Sequence, residues 1–505
     1  MTETARFIVL PVSGFRDRRL TEADKLRAPG PAVRLAVRGG VASGCETATT
    51  NMRVLDGIRE GGPRLVEMSA DAALNLQAEV PGLRVIPVVT YHTMEFERGI
   101  VRPFAQSASN ASAAGGVVVR VVDGATQTGL AGARVVAFTS FRFRTGAEGI
   151  SDDRGNVALS IPPGTRLDRL YVYGPARYWG FFDSGITLNG SNTFSVPPID
   201  FATDRLLLSD LYQALPLDGG VGVRVGVIDT GIAQAHSLLP NVTGGANLVF
   251  DETVGDAGAA ANWGPAASDG EHGTHVAGII GARPQPDISI RGVAPGVELR
   301  SYRVFPNGGG GATNYDIMNA IDRAVADGCD IVNLSLGGGS HDDGVQTAIE
   351  AALSAGTLVV AAAGNDYRGP VSFPASLSGC IAVSAMGRRG TYPPSSTERI
   401  EFTKPYGTDP QACCAAFSNY GPQIKLTGPG LGIVSALPDD AYGVMSGTSM
   451  ACPAVTGFAA FLLARNNDVR AKRGLERVAA LRQLLADHAK PVGFGTDYEG
   501  FGMLS

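Results

Sequence analysis

Short apolar runs without polar alternation dominate the second half of the chain. "VRVGVID", "ELRSYRVF", "CDIVNLSL", "TLVVAAAG" and "CIAVSAM" are continuous in this way, as strands buried on both faces are. Between them "NYDIMNAIDRAVADG" and "GVQTAIEAALSAG" carry helical spacing. The alternation predicts an α/β unit over residues 204–505, a parallel sheet covered by helices. In such sheets, sites form beyond the carboxyl ends of the strands.

The first half has a different rhythm. Over 115–199, "GGVVVRVVDG", "ARVVAFTSF", "GNVALSI" and "DRLYVYG" are short strands separated by Gly, Asp and Pro, which predicts a small β-sandwich. Residues 1–102 read as a small α+β unit with strands at "RFIVLPV", "PRLVEMS" and "LRVIPVVTY". Its helix, "ADAALNLQAEVPG", is capped by Ser69 and closed by Pro81-Gly82. The small, polar stretch 103–114 reads as a linker.

Composition agrees with several domains, since 505 residues exceed one compact core. A net charge of −6 offers no electrostatic footprint for nucleic acid or an anionic membrane. No apolar run approaches the roughly 20 residues that span a bilayer. "MTETARFIVLPVSGFRDRR" lacks a basic leader and a small-residue cleavage site. The six scattered cysteines do not form a disulfide framework. The expectation is a cytoplasmic protein, with non-standard export left open.

Candidate chemistry lies at strand ends and at one helix entrance. Asp229 ends "VRVGVID"; His272 and His275 stand in "DGEHGTHVAGIIG"; Asn365 ends "TLVVAAAGN"; Ser446 and Ser449 stand in "YGVMSGTSMACPAV". Each has an ordinary structural reading: Asp or Ser as a cap, Asn as a turn residue, paired histidines as metal ligands or core residues. Together, an Asp, a His, an Asn and a Ser fit one chemistry. A serine hydroxyl needs a histidine to accept its proton, and the histidine needs a carboxylate to fix its tautomer. The tetrahedral intermediate needs donors for its oxygen.

The segments "VGVIDTGI", "HGTHVAG", "AAAGN" and "GTSMACP" resemble, in order and spacing, those of the subtilisin-like serine proteases. The resemblance extends through "RGVAPGVELRSYRVF", "IVNLSLGG" and "FSNYGPQIKLTGPG", covering 204–505. It implies Ser449 as nucleophile, His272 as general base and acid, Asp229 as its orienting carboxylate and Asn365 as oxyanion donor. Ser446 and His275 are then structural. It implies an extended substrate peptide between two edges, Gly309, Gly310 and Gly311 on one side and Ser335, Leu336 and Gly337 on the other. Ala362, Ala363 and Gly364 would wall the pocket for the residue before the scissile bond. Ala375 in "FPAS" would floor it, so the pocket should prefer Leu or Met.

Three departures matter. Cys452, Pro453 and Ala454 follow "GTSMA", where the family commonly has Ser or Thr and then Pro-His. Prolines occupy part of "RPQPDISIRG", the segment that carries calcium in many relatives, and the usual Asn is missing. No cofactor or metal is therefore expected to be required, with a structural calcium left open. Residues 387–415, with vicinal Cys413-Cys414, read as an inserted loop.

Residues 51–94 resemble the family's inhibitory propeptide, although "DKLRAPGPAVRLAVRGGVASG" fits it poorly. "TGLAGARVVAF" and "SDDRGNVALSIPPG" resemble the carboxypeptidase-regulatory-like or transthyretin-like sandwich. The expectation is a serine endopeptidase of protein or peptide substrates. An intramolecular N-terminal inhibitor places Tyr91 to Met94 in the groove, with self-cleavage after Met94. The competing reading is a catalytically silent peptide-binding or docking protein that uses the same groove.

Overall fold

A computed structural model describes residues 4–11, 52–80, 82–96, 99, 102–103, 116–265 and 270–505. "DKLRAPGPAVRLAVRGGVASG" and residues 104–114 of the expected linker lie outside the described residues. Strands β1 (Thr4–Leu10), β2 (Arg53–Gly57), β3 (Arg64–Ser69) and β4 (Arg84–Pro87) pair in the order β2-β3-β1-β4. Helix α1 (Ala70–Glu79) follows β3 directly, with the Ser69 hydroxyl accepting from the Ala72 N–H at 3.2 Å. Side chains alternate across the sheet. Val9, Val66 and Met68 therefore meet Leu76 and Val80 in a small core of their own. Ile8, Leu10 and Leu65 face the other way and join the core of the C-terminal domain. Each such burial contributes about 1.5–3 kcal/mol, so the unit is docked and not merely tethered.

The run "LRVIPVVTY" is two strands. β4 ends at Pro87, which has no N–H to extend a ladder, and β5 (Thr90–Thr93) leaves the sheet. Asn314 makes the hand-over. Its amide donates to the Pro87 carbonyl at 3.0 Å and accepts from the Val89 N–H at 3.2 Å.

The sandwich comprises β6 (Arg102–Pro103), β7 (Val117–Asp123), β8 (Arg134–Ser140), β9 (Thr145–Ile150), β10 (Asn156–Leu159), β11 (Thr165–Arg166), β12 (Arg169–Tyr173), β13 (Phe181–Ser184), β14 (Thr187–Leu188) and β15 (Ser191–Val196). These form sheets of order β10-β7-β15 and β13-β12-β8-β9-β6, with β11 and β14 as a short ribbon. Their inward residues, among them Val119, Val135 and Leu170, make a separate core.

The C-terminal domain is built on a ten-stranded sheet. β16 (Arg224–Asp229), β17 (Val242–Asn247), β18 (Glu298–Arg303), β20 (Ile331–Leu334), β22 (Leu358–Ala362), β23 (Ile381–Arg388) and β25 (Ile424–Pro429) are parallel. Their order is β17-β18-β16-β20-β22-β23-β25. α2 (Glu271–Gly281), α3 (Asn314–Ala326), α4 (Asp343–Ala355) and α5 (Thr448–Arg465) pack on it. Two short edges, β19 (Ala312–Thr313) and β21 (Leu336–Gly337), stand apart from the sheet.

The 387–415 segment is not a free loop. It contains a 3-10 turn, Thr397–Glu401, and β24 (Ala412–Cys414) antiparallel to β23. It seats the sandwich: Ile400 packs with Phe138, Tyr171 and Phe182, and the Phe182 N–H donates to the Ser395 carbonyl at 2.8 Å. Cys413 and Cys414 are fully buried, and burial raises both thiols above their ordinary range. Next to it, β26 (Ile433–Leu437) and β27 (Ala441–Met445) form a hairpin. The Arg177 N–H donates to its Tyr442 carbonyl at 2.8 Å.

Candidate active site

Asp229 is the last residue of β16, and His272 lies in the first turn of α2. His272 Nδ1 is 2.7 Å from Asp229 Oδ1, and both side chains are buried. Thr230 fixes the helix start, accepting from the Gly273 N–H at 2.9 Å and donating to the Gly270 carbonyl at 3.2 Å. Burial alone would lower the basicity of His272. The charge and hydrogen bond of Asp229, with the charge of Glu95, outweigh it and hold the imidazole above its ordinary pKa. His275 goes the other way: burial drives it down to about 3. Its Nε2 lies 3.0 Å from the Ile433 carbonyl and 3.3 Å from that of Gly443. It is a neutral tie between α2 and the hairpin.

At the helix entrance the two serines make different contacts. The cap position of α5 is Gly447, which has no side chain to cap with. Ser446 Oγ accepts from the Gly432 N–H at 3.0 Å. Pro453 is the sixth residue of α5, beyond the first turn that would tolerate it best. Lacking an N–H, it leaves the Ser449 carbonyl without a helical donor. The Ser335 hydroxyl supplies one at 2.9 Å, and is itself held by Asn333 Nδ2 at 2.9 Å. Ser449 Oγ returns the contact, donating to the Ser335 carbonyl at 2.9 Å. His272 Nε2 is buried without a hydrogen-bond partner.

The first N–H groups of a helix have no intrahelical acceptor. The Ser449 N–H donates to the carbonyl of Met94 at 3.1 Å. Asn365 Nδ2 donates to the same oxygen at 2.5 Å. Thr448 sets the Asn365 amide, both its N–H and its hydroxyl reaching Asn365 Oδ1 at 3.0 Å. Gly447 is required by proximity: a Cβ there would lie 2.4 Å from the Met94 oxygen.

Residues Thr90–Thr93 thus lie as a middle strand between two antiparallel edges, in the order β19-β5-β21. Tyr91 pairs with Ala312, His92 with Gly337 and Thr93 with Leu336. The Met94 N–H donates to the Ser335 carbonyl at 3.1 Å. The first edge differs from the sequence expectation. Gly309 and Gly310 have positive φ, cannot continue a strand and are exposed. The pairing falls to Ala312–Thr313, with Gly311 allowing the close approach of Thr90.

With Met94 in the groove, Ser372 and Phe373 line the open cleft beside it, and Ala375 of the same segment is fully buried. The Ser372 N–H is pinned to the Ala363 carbonyl at 2.8 Å, and the chain then turns inward through Ser376 N–H to Ser372 carbonyl at 3.0 Å. Ala362, Ala363 and Gly364 are buried and do not line the cleft's open part. Gly337 faces Met94, and a Cβ there would lie 2.5 Å from Met94 Cε. Among the described residues no cluster of three metal-ligating side chains occurs.

A profile described as "Subtilase family" matches residues 220–503, more than half the chain. The chain belongs to the subtilase family. It is 36% identical over 251 residues to subtilisin NAT of Bacillus subtilis subsp. natto, covering 49% of this chain and 57% of that protein. It is 33% identical over 287 residues to subtilisin DY of Bacillus licheniformis, covering 56% and 91%. It is 35% identical over 257 residues to a thermostable alkaline protease of Halalkalibacterium halodurans, covering 50% and 61%. The match thus spans little more than half of the subtilisin NAT sequence.

In this subtilase, several residues that frame the site were not singled out in the sequence. Thr448 was hidden inside "GTSMACP". Asn419, in "FSNYGP", donates to Asp366, Pro370 and Ser372 and so braces the segment after Asn365. Asn333 and Cys452 meet beneath the Ser335–Ser449 exchange, the Cys452 thiol donating to Asn333 Oδ1 at 3.2 Å. Cys452 is fully buried, so packing and not chemistry accounts for it. Asn and Thr are common enough that only contacts distinguish these positions.

Proposed function

We propose that this chain is a serine endopeptidase held inactive by its own N-terminal unit. One observation carries the reading: the Met94 carbonyl lies between the Ser449 N–H and Asn365 Nδ2, in a peptide paired on both sides. Those donors are placed where negative charge develops on a carbonyl oxygen under attack. A change of the Ser449 side-chain rotamer, away from the Ser335 carbonyl and toward His272 Nε2, completes the relay. His272 takes the hydroxyl proton as the Ser449 oxygen bonds to the Met94 carbonyl carbon, and Asp229 stabilises the imidazolium. His272 then protonates the departing Glu95 nitrogen, and water releases the acyl group by the same steps in reverse.

The contact of Met94 Cε with Gly337, beside Ser372 and Phe373, supports Leu or Met before the cleaved bond. The groove takes an extended polypeptide through its main chain, so proteins and peptides are the substrate class. The Ser449–Ser335 contact favours one competing reading, a peptide-binding protein whose hydroxyl stays turned away. Labelling with a fluorophosphonate tests the two. Stoichiometric modification at Ser449, with hydrolysis of a Met- or Leu-containing peptide, supports the enzyme. An unreactive Ser449 in a chain freed of its N-terminal strand refutes it.

A further inference from the structure

Beyond Met94 the chain stays on the enzyme. The Phe96 N–H donates to the Ser446 carbonyl at 2.8 Å, which fixes the backbone two residues past Met94. Its ring stacks on Phe417, with centroids 4.7 Å apart and planes at 20°. It meets Tyr367 edge-on, at 5.3 Å and 75°. Phe417 is fully buried and forms the floor of this slot; Tyr367 is 38% exposed and lines the cleft beside Phe96.

Tyr367 is the informative residue. It follows Asn365 by two positions, and its φ of 51° and the 66° of Arg368 are both left-handed. Residues other than glycine are strained there and stay only where their surroundings hold them, as at binding and catalytic sites. Several contacts do so. The Tyr367 N–H donates to the Phe417 carbonyl at 3.0 Å. The Arg368 guanidinium donates to the carbonyls of Cys414 and Ala415, each at 2.8 Å. The Tyr367 hydroxyl donates to Glu401 Oε1 at 3.1 Å. Glu401 is buried, and its carbonyl accepts from the Ala416 N–H at 2.8 Å. Its neighbour Ile400 packs against Phe138, Tyr171 and Phe182 of the sandwich. The tip of the Tyr367 ring is therefore held by the segment on which the sandwich sits.

We propose that Phe417 and Tyr367 form a subsite that selects an aromatic side chain on the second residue after the scissile bond. Tyr367 is its specificity-determining residue, and Glu401 of the 387–415 segment is the positioning residue that acts through it. Phe96 occupies the slot in the unprocessed chain, and an aromatic side chain of a substrate would take its place. One stacked and one edge-on neighbour is the arrangement aromatic rings prefer. A leucine there buries apolar area but offers no ring face or edge to match. The inserted segment, with the sandwich behind it, thereby shapes the substrate site. This inference rests on the endopeptidase reading, with the cleaved bond after Met94.

The test uses the full chain after self-processing and three quenched fluorescent peptides. All carry Met before the scissile bond and Glu directly after it; they differ only in Phe, Leu or Ala as the second residue beyond the bond. The Phe peptide should be cleaved with kcat/KM about tenfold above the Leu peptide, as two ring contacts give beyond burial alone. The Ala peptide should be slower than either. In Tyr367→Ala the Phe-to-Leu ratio should fall to about threefold or less, since only Phe417 remains. Tyr367→Phe keeps the ring but loses the contact with Glu401, and its ratio should lie between the two. Glu401→Ala should match Tyr367→Phe, and Glu401→Gln, which keeps an acceptor, should recover the preference. A ratio cancels any loss common to the peptides. Equal cleavage of the Phe and Leu peptides by the wild type overturns the subsite. A ratio unchanged in Tyr367→Ala overturns the role of Tyr367, and one unchanged in Tyr367→Phe overturns its positioning by Glu401. Cleavage of none of the peptides is the failure of the endopeptidase reading itself, and is distinguishable from cleavage without preference.

Discussion

The carbonyl oxygen of Met94 lies 3.1 Å from the backbone nitrogen of Ser449. These residues belong to the N-terminal unit and to the start of the helix at 448–465, far apart in sequence, and two kinds of contact hold them together. Main-chain pairing of Thr90–Thr93 with both groove edges sets the register. Burial of Ile8, Leu10, Leu65 and Tyr91 in the C-terminal core sets the docking. The bond after Met94 is thereby presented as a substrate bond would be.

Oxyanion donation should depend on both Asn365 and its orienting neighbour. Asn365→Leu is expected to lower kcat on the order of 100- to 1,000-fold with little change in KM, as loss of one such donor does. Thr448→Val removes the hydroxyl that fixes the amide and should cost about tenfold, again in kcat. Steady-state kinetics on one Met-containing peptide checks both, and a change confined to KM contradicts the assignment.

The approach of Met94 Cε to Gly337 makes that glycine a specificity determinant. Gly337→Val places its branched carbons where Met94 Cε and the Phe373 carbonyl lie, the latter 2.9 Å from the added Cβ. Cleavage after Met or Leu should fall, and cleavage after Ala or Gly should rise relative to it. Profiling with a peptide library reads the shift directly.

Self-processing should depend on pH through His272. Its pKa is held above the ordinary value by Asp229 and, in the unprocessed chain, by Glu95 as well. The neutral imidazole is the active base, so the rate should rise with pH through that elevated pKa. Glu95→Gln removes one stabilising charge from the imidazolium and lowers the pKa. The acid limb of the processing rate should therefore move to lower pH, whereas an upward move contradicts the geometry. Rates of chain cleavage across pH 5–9, followed by gel, show the direction.

Asn314 ties the N-terminal strand to the groove through Pro87 and Val89. Asn314→Ala removes both contacts, each worth about 0.5–1.5 kcal/mol net. The cleaved N-terminal segment should then dissociate about 5- to 150-fold more readily, and the lag before full peptidase activity should shorten accordingly. An unchanged lag argues that main-chain pairing and apolar burial hold the segment without the Asn314 side chain.

Much of the parallel sheet was legible in the sequence because strands such as those at 224–229 and 358–362 are near-continuous apolar runs, as two-sided burial favours; β18, "ELRSYR", alternates polar and apolar residues. Asp229, His272, Asn365 and Ser449 stood out because their motifs combine glycine with polar residues at strand or helix ends. What escaped was set by long-range contact. That Ser372 lines the cleft beside Met94 goes with its N–H being held by the Ala363 carbonyl. The path of "LRVIPVVTY" after its break at Pro87 depends on Asn314, more than 200 residues away. The 387–415 segment reads as a loop by composition, but its buried face is defined by the sandwich that covers it. Gly309 and Gly310 stay outside the paired edge, which begins at Ala312, because their positive φ, invisible in a glycine run, does not continue a strand.

The most direct measurement is intact mass and N-terminal sequencing of the purified wild-type chain beside Ser449→Ala. Removing the hydroxyl deletes no core volume, so the variant should fold with an unchanged melting temperature. The wild type should yield a fragment beginning at Glu95, and Ser449→Ala should remain whole with Met94 still in the groove. An intact wild-type chain that hydrolyses peptides, or the same new terminus in Ser449→Ala, would contradict the account.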